Sequence, residues 1–318
     1  MRLWNAVRHM FGKEGPPRDL DVDATDEFPP SSLLTLVPGV LKLWVGVVST
    51  VGNYREHNED NYFVPGRKPV RPDVPTCEGT LEIDATALLE PSQVFIVADG
   101  MGGQQAGEEA SRMAIEIIPG EIARRLSPKE TDPKRIQAAI RDAVAVANQE
   151  ILGSSGAVSE FSNMGTTVVL ALFRNNRAYI AGIGDSRCYR WRKGQLEQVT
   201  KDHSLADALL DAGTITKEEL VNHKFKNVLY LYLGSKDARS GPEDVKVLDV
   251  EVGDRFLLAS DGLTGVVRDE ELARVLESST DPQKTASVLK DQALSNDSKD
   301  NVTCLVVHVV SSQGGSSQ

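Results

Sequence analysis

Residues 94–103 read Val-Phe-Ile-Val-Ala-Asp-Gly-Met-Gly-Gly, five apolar residues that run into an acid followed by glycine. Val, Ile and Phe suit a pleated, partly buried strand. Asp99 therefore stands where such a strand ends. The construction recurs at 256–262, where Phe-Leu-Leu-Ala-Ser leads into Asp261 and Gly262. It appears in reverse where Asp60 precedes Asn-Tyr-Phe-Val and Asp300 precedes Asn-Val-Thr-Cys-Leu-Val-Val.

In antiparallel pairing the end of one strand lies beside the start of its neighbour, so acids after some strands and before others can share one edge. Carboxylates gathered there repel unless protons or cations intervene, and an all-oxygen ligand set selects hard ions such as Mg²⁺ or Mn²⁺. A glycine after the acid allows unusual backbone angles and frees a carbonyl to face an ion, which makes Gly100 a candidate ligand. Two such ions can activate a water and clamp a phosphoryl group during in-line attack, so phosphate-ester hydrolysis is the natural chemistry. Any one Asp-Gly taken alone is a plain turn after a strand. The argument rests on four acids in equivalent places.

Outward from these acids, β-type runs begin at Leu43 and continue through 61–64 and 94–98. Two helical stretches follow; Ile136, Ile140, Ala143, Val144, Ala147 and Ile151 recur on one face of the second. A second strand group spans 166–200, with Asn175-Asn176 and Lys193-Gly194 as its turns. Residues 203–226 read as short helices around Gly213, 245–260 resume strand, 269–278 and 282–294 read as helices, and 301–310 as a last strand. This order predicts an α+β fold, a four-layer α/β/β/α sandwich of two antiparallel sheets flanked by helices. The Pro-rich connection from Val64 to Gln93 reads as a mobile surface loop.

The expected domains are an N-terminal extension over 1–42, a catalytic domain over 43–311 and a flexible tail over 312–318. In the extension, Leu3, Trp4, Val7, Met10 and Phe11 follow one helical face beside Arg2, Arg8 and Lys13, a pattern for weak membrane-surface or partner contact through residues 1–13. A helix so short is marginal alone, which favours a frayed terminus. A net charge of −11 argues against nucleic acid as a partner. Cys77, Cys188 and Cys304 match neither a disulfide framework nor a zinc site, which points to a reducing cytoplasm. The sixth residue after each is Ile83, Gly194 or Val310, so the arginine of a cysteine-based phosphatase is missing. No apolar run approaches the roughly 20 residues that span a bilayer.

Seven ordered motifs, Arg55-x-x-Asn58-Glu59-Asp60, Asp99-Gly100-Met101-Gly102-Gly103, Met164-Gly165-Thr166-Thr167, Gly184-Asp185-Ser186-Arg187, Asp202-His203-Ser204, Ser260-Asp261-Gly262 and Asp300-Asn301-x-Thr303, run from about Leu43 to Val310. Together they resemble the type 2C metal-dependent serine/threonine protein phosphatases. The resemblance implies two Mn²⁺ or Mg²⁺ ions, bridged by Asp99, met by the Gly100 carbonyl and completed by Asp261 and Asp300. It also implies that Glu59 and Asp60 hold metal-bound waters and that Arg55 grips the substrate phosphate. Guanidinium suits that task, offering paired donors to phosphate oxygens. By the same resemblance Asp185 and Arg187 serve a buried structural network, and residues 205–233 match a variable segment beside the active site.

Met101 stands where animal members carry histidine, which points to the bacterial type. Some members bind a third metal through an aspartate before the Met-Gly-Thr-Thr motif and another after Ser-Asp-Gly; here those neighbourhoods carry Glu160, Ser162 and Asn163, and Leu263-Thr264-Gly265, so a third ion is not expected. His203 reads as a capping or packing residue. The expected activity is hydrolysis of phosphoserine and phosphothreonine in proteins, by a monomer opposing serine/threonine kinases. The competing expectation is a catalytically silent relative that binds phosphoproteins or a regulator; its usual mark, loss of metal ligands, is absent here.

Overall fold

A computed structural model describes residues 41–66, 76–84, 93–102, 104–157 and 164–311. The extension through residue 40, with its amphipathic stretch, the 312–318 tail, and Glu160, Ser162 and Asn163 lie outside the described residues.

Twelve strands and seven α-helices are present among the described residues. The first half runs β1 (Leu41–Thr50), β2 (Asp60–Phe63), β3 (Thr76–Asp84), β4 (Val94–Met101), α1 (Gln104–Arg125), α2 (Pro133–Ala157), β5 (Gly165–Thr166), β6 (Val168–Arg174) and β7 (Arg177–Ile183). It continues with β8 (Arg187–Arg192), β9 (Gln195–Gln198), α3 (Leu205–Asp211), α4 (Lys217–Val221), β10 (Lys246–Asp249), β11 (Arg255–Ala259), α5 (Asp261–Thr264), α6 (Asp269–Ser278), α7 (Pro282–Ser295) and β12 (Val302–Ser311).

One sheet has the order β3-β1-β12-β11-β8-β9 and the other β10-β7-β6-β4-β2, with β5 attached to β4; all pairings between strands are antiparallel. Three apolar clusters define four layers. Val94, Ile96 and Ala98 of β4 pack with Ile115 and Ile118 of α1 and with Ile140 and Val144 of α2. Phe95 and Val97, on the opposite face, pack with Phe256 and Leu258 of β11 and Leu305 and Val307 of β12 between the sheets. Leu257, Ala259, Cys304 and Val306 then face Leu272 of α6 and Leu289 of α7. The continuous apolar runs follow from this: a strand covered on both faces has no solvent side to mark with polar residues. Phe173 lies edge-on to Phe95 of its own sheet at 5.7 Å and to Phe256 of the other at 5.1 Å, each pair adding about 0.5–1.5 kcal/mol beyond area burial and the second tying the sheets together.

The expected sandwich is present, but the strand groups are interleaved. β1 pairs with β12 over Leu41↔Ser311 to Thr50↔Val302, whereas β2 and β4 join β6, so the early runs divide between the two sheets. The expected loop over 64–93 is corrected in part: residues 76–84 form β3, an edge strand in register with β1 from Lys42↔Asp84 to Thr50↔Thr76. Its sequence, Thr-Cys-Glu-Gly-Thr-Leu-Glu-Ile-Asp, alternates apolar and acidic at its end, the period-two signal of a strand. Residues 67–75 and 85–92 lie outside the described set. The expected turns hold, with left-handed backbone at Asn175 (φ 53°), Asn176 (57°) and Lys193 (51°).

Candidate metal centre

Asp99 lies near the end of β4 and Asp60 opens β2, and the two are directly paired across the sheet. Like charges so placed destabilise a sheet unless something neutralises them. Asp261 follows β11 as the first residue of α5, and Asp300 sits just before β12. Since β11 and β12 are themselves paired, the second two acids also share an end of their sheet.

Buried hydrogen bonds fix this arrangement and account for the motif residues around the acids. Ser260 donates its hydroxyl to Asp60 Oδ2 at 2.8 Å and accepts from the Thr303 amide at 3.0 Å. The Thr303 hydroxyl shares a hydrogen with Ser49 at 2.7 Å, and Asn58 donates to Ser49 at 2.9 Å. Thr166 and Thr167 bracket Asp99: its carbonyl accepts from the Thr167 amide and the Thr166 hydroxyl, both at 2.8 Å, and its amide donates to Thr167 Oγ1 at 3.1 Å. Asn301 receives the Glu59 amide at 2.9 Å and donates to the carbonyls of Val51 at 3.0 Å and His57 at 2.9 Å, closing the loop that carries Arg55.

The glycines after the acids serve differently from expectation. Neither Gly100 nor Gly262 has a positive φ. What each supplies is space: a Cβ at Gly100 would lie 2.1 Å from the Gly107 carbonyl oxygen, and one at Gly262 1.9 Å from that of Asn301. The first approach seats the start of α1 against β4, and the second seats α5 against the loop that bears Asp300.

Electrostatically the acids behave as one group. Burial pushes the Asp60 carboxyl up to about 7; hydrogen bonds from Ser260 and Thr303 pull the other way, and Asp261 and Asp300 push it up. Burial, then Asp60, Asp261, Asp185 and Asp300, hold Asp99 well above the usual carboxylate range. Asp261 is raised by burial and by Asp300, while a hydrogen bond with Asp99 opposes the rise. That contact needs a proton between the two carboxylates or a cation in its place. Glu59 is raised by burial, with Arg55 opposing it. Arg55 pairs with Asp300 Oδ2 at 2.6 Å, and that attraction outweighs its partial burial, raising the guanidinium further.

Among the described residues, no three acidic, histidine or cysteine side chains close on a single point. Two pairings draw side chains away from a common point: Asp300 is held by Arg55 and Asp60 by Ser260. Among the described residues two buried carboxylate oxygens have no hydrogen-bond partner, Asp60 Oδ1 and Asp261 Oδ1. A buried carboxylate oxygen left unpaired costs several kcal/mol in an apolar setting, on the order of what a hard cation would recover. The donor set therefore fits divalent ions such as Mg²⁺ or Mn²⁺.

Asp185 was expected to be purely structural. The structure brings it to the centre: with Asp261, Asp300, Val221, Lys226 and Lys299 it lines a cleft of about 390 Å³. Its carboxyl is raised to about 8 by burial and by Asp261 and Asp202. The Gly-Asp turn resembles the other two Asp-Gly corners less than they resemble each other, so only its following strand, 187–192, could have drawn attention to it. Arg187 does serve structure, gripping Asp202 through Nε at 2.9 Å and Nη2 at 2.7 Å. His203 is a packing residue: Nδ1 accepts from the Gly184 amide at 3.1 Å and the ring meets Tyr230 edge-on.

Residues 78–297 match the family model described as Protein phosphatase 2C. The chain belongs to the protein phosphatase 2C family. Asp99, Gly100 and Asp261 fall inside that match, and Arg55, Glu59, Asp60 and Asp300 lie on either side of it. The chain is 34% identical over 259 residues to the serine/threonine phosphatase stp of Listeria monocytogenes, covering 80% of this chain and 92% of that protein. The crystal structure of the Mycobacterium tuberculosis serine/threonine phosphatase PstP/Ppp superposes with a TM-score of 0.68 at 30% identity, over 85% of this chain and 99% of the other. The catalytic domain of PstP in complex with two manganese ions gives 0.65 at 29%, over the same shares. Two antiparallel sheets flanked by helices are the fold this chain shares with these solved phosphatases.

Proposed function

We propose that this chain is a metal-dependent phosphatase that hydrolyses phosphoserine and phosphothreonine in proteins. The observation that carries the reading is the gathering of four acids at paired strand ends, with Asp60 directly opposite Asp99, beside two buried carboxylate oxygens with no partner. Asp99, the Gly100 carbonyl, Asp261 and Asp300 would hold two Mn²⁺ or Mg²⁺ ions, with Glu59 and Asp60 completing the surroundings. When bound, such a pair lowers the pKa of a water toward neutrality and offsets charge on the phosphoryl oxygens. Arg55, exposed at the rim, binds and orients the substrate phosphate through its paired donors. Asp60, held by the Ser260 hydroxyl, would orient water beside the ions.

Substrates are phosphoproteins, the products of serine/threonine kinases, and the setting is the cytoplasm, in keeping with buried Cys188 and Cys304 that form no disulfide. We read the chain as a monomer whose activity belongs to signalling, with any membrane or partner contact left to residues 1–13. No helix among the described residues is long and apolar enough to cross a membrane.

The test is turnover of a phosphothreonine peptide by purified protein with Mn²⁺, with chelator, and as Asp261→Asn. Activity should require the ion, and Asp261→Asn should lose at least the roughly 10–100-fold that removal of even an outer partner costs a metal site. Metal-independent turnover would sink the mechanism. Tight Mn²⁺ binding without turnover of any phosphopeptide would favour the silent relative.

A further inference from the structure

Asn301 secures both ends of the 51–59 loop, but its tip is held by a separate set of contacts that no catalytic role above explains. Tyr54 donates its phenol to Asp297. Lys299 Nζ lies 3.6 Å from the centroid of the Tyr54 ring and pairs with Asp297 Oδ2 at 2.6 Å. Next along the loop, Arg55 Nε donates to the Lys299 carbonyl at 3.3 Å. Asp297 is brought there by the close of α7: the Ser298 amide returns to the Ala293 carbonyl at 3.0 Å, with Asp297 left-handed at φ 64°.

These side chains are outside the core. Tyr54 is 55% exposed, and the Lys299 and Asp297 side chains 61% and 63%. Exposed ion pairs add little to stability, so three convergent residues at the mouth of the cleft call for a reason other than folding. The reason lies in Arg55. Its guanidinium is anchored here on Asp300 Oδ2 at 2.6 Å, yet Asp300 is a carboxylate the proposed function assigns to a cation. An ion engaging Asp300 competes with Arg55 for it, and a freed arginine on an untethered loop would sample many positions.

We propose that Tyr54, Asp297 and Lys299 form a clasp that keeps the Arg55 loop in place once Asp300 turns to an ion, making Tyr54 a positioning residue for Arg55. The ring supplies a face for Lys299, the phenol a tie to Asp297, and the Lys299 carbonyl a fixed acceptor for Arg55 Nε. The proposal rests on the reading of Arg55 as the phosphate-binding group.

The test uses full-length, Mn²⁺-loaded protein, with inorganic phosphate binding by calorimetry beside steady-state kinetics on a phosphothreonine peptide. Tyr54→Ala should weaken phosphate binding and raise KM each by about tenfold, with kcat within about threefold and Mn²⁺ affinity unchanged, a split expected when orientation of a binding group is lost. Tyr54→Phe, which keeps the ring under Lys299 and loses only the tie to Asp297, should fall between wild type and Tyr54→Ala. Hydrogen exchange should quicken in 52–57 and nowhere else. Wild-type phosphate affinity and KM in Tyr54→Ala would overturn the clasp alone, as would a loss confined to kcat or to Mn²⁺ affinity. If Arg55→Ala also left phosphate binding unchanged, the assignment of Arg55 would fall, and the clasp with it.

Discussion

Ser260 joins two motifs far apart in sequence, giving its hydroxyl hydrogen to Asp60 and taking one from Thr303. Ser260→Ala would strand both partners in the interior, where a buried unpaired group costs about 1–3 kcal/mol each. Urea unfolding should therefore show a loss of at least about 2 kcal/mol, large for a single hydroxyl. Asp60 also sets a pH dependence. Its folded pKa is raised to about 7 from an ordinary value of 3.8, so without metal the native chain holds a proton that the unfolded chain has lost. The associated stability is complete below the ordinary value and is lost as pH rises through 7. Melting temperatures with and without Mn²⁺ should diverge from about pH 4 to 7, between the ordinary and the raised value, because the chelated protein loses stability over that window. Calorimetry in buffers of different ionisation enthalpy should register proton release on Mn²⁺ binding near pH 7.

Among the elements, α5 depends most tightly on its glycine. Gly262→Ala would drive a Cβ to 1.9 Å from the Asn301 carbonyl, and displacing α5 moves Asp261 with it. Overpacking of this kind costs about 1–3 kcal/mol, and the phosphatase assay should fall further than stability does. Gly153→Ala is the control: the position lies exposed within α2 with nothing near its missing Cβ, so about 0.4–1 kcal/mol of stabilisation is expected in denaturant melts.

Most elements, and the shared edge of Asp60, Asp99, Asp261 and Asp300, were legible in the sequence because runs buried on both faces are continuous and stop at acids. Strand partners were less legible: β1 and β4 are equally apolar, and nothing local in either says which sheet it joins. β3 hid behind the prolines that precede it. Asp185 is less legible because its closeness to Asp261 follows from the pairing of β8 with β11, Arg187 opposite Ala259, a long-range register that sequence spacing does not carry.

For the whole molecule, the acidic centre stores unfavourable energy that an ion relieves. At one hundred times its dissociation constant a ligand specific to the native state adds about 2.7 kcal/mol, so Mn²⁺ should raise the melting temperature by roughly 4–5 °C in scanning calorimetry. Asp99→Asn should remove most of that increment while raising the chelated protein's own stability, since it deletes a charge from the crowded edge.

The place of β12 has a consequence for synthesis. It lies between β1 and β11, aligned with β1 from Leu41↔Ser311 to Thr50↔Val302. On the ribosome, β1 emerges early and must wait, with one long side unpaired, until residues 302–311 clear the exit tunnel. Asp300 is translated just before them, so no nascent chain carries a complete acidic centre ahead of its sheet. Chaperone demand should consequently be greatest late in translation, and the enzyme should gain activity in a single step rather than by degrees.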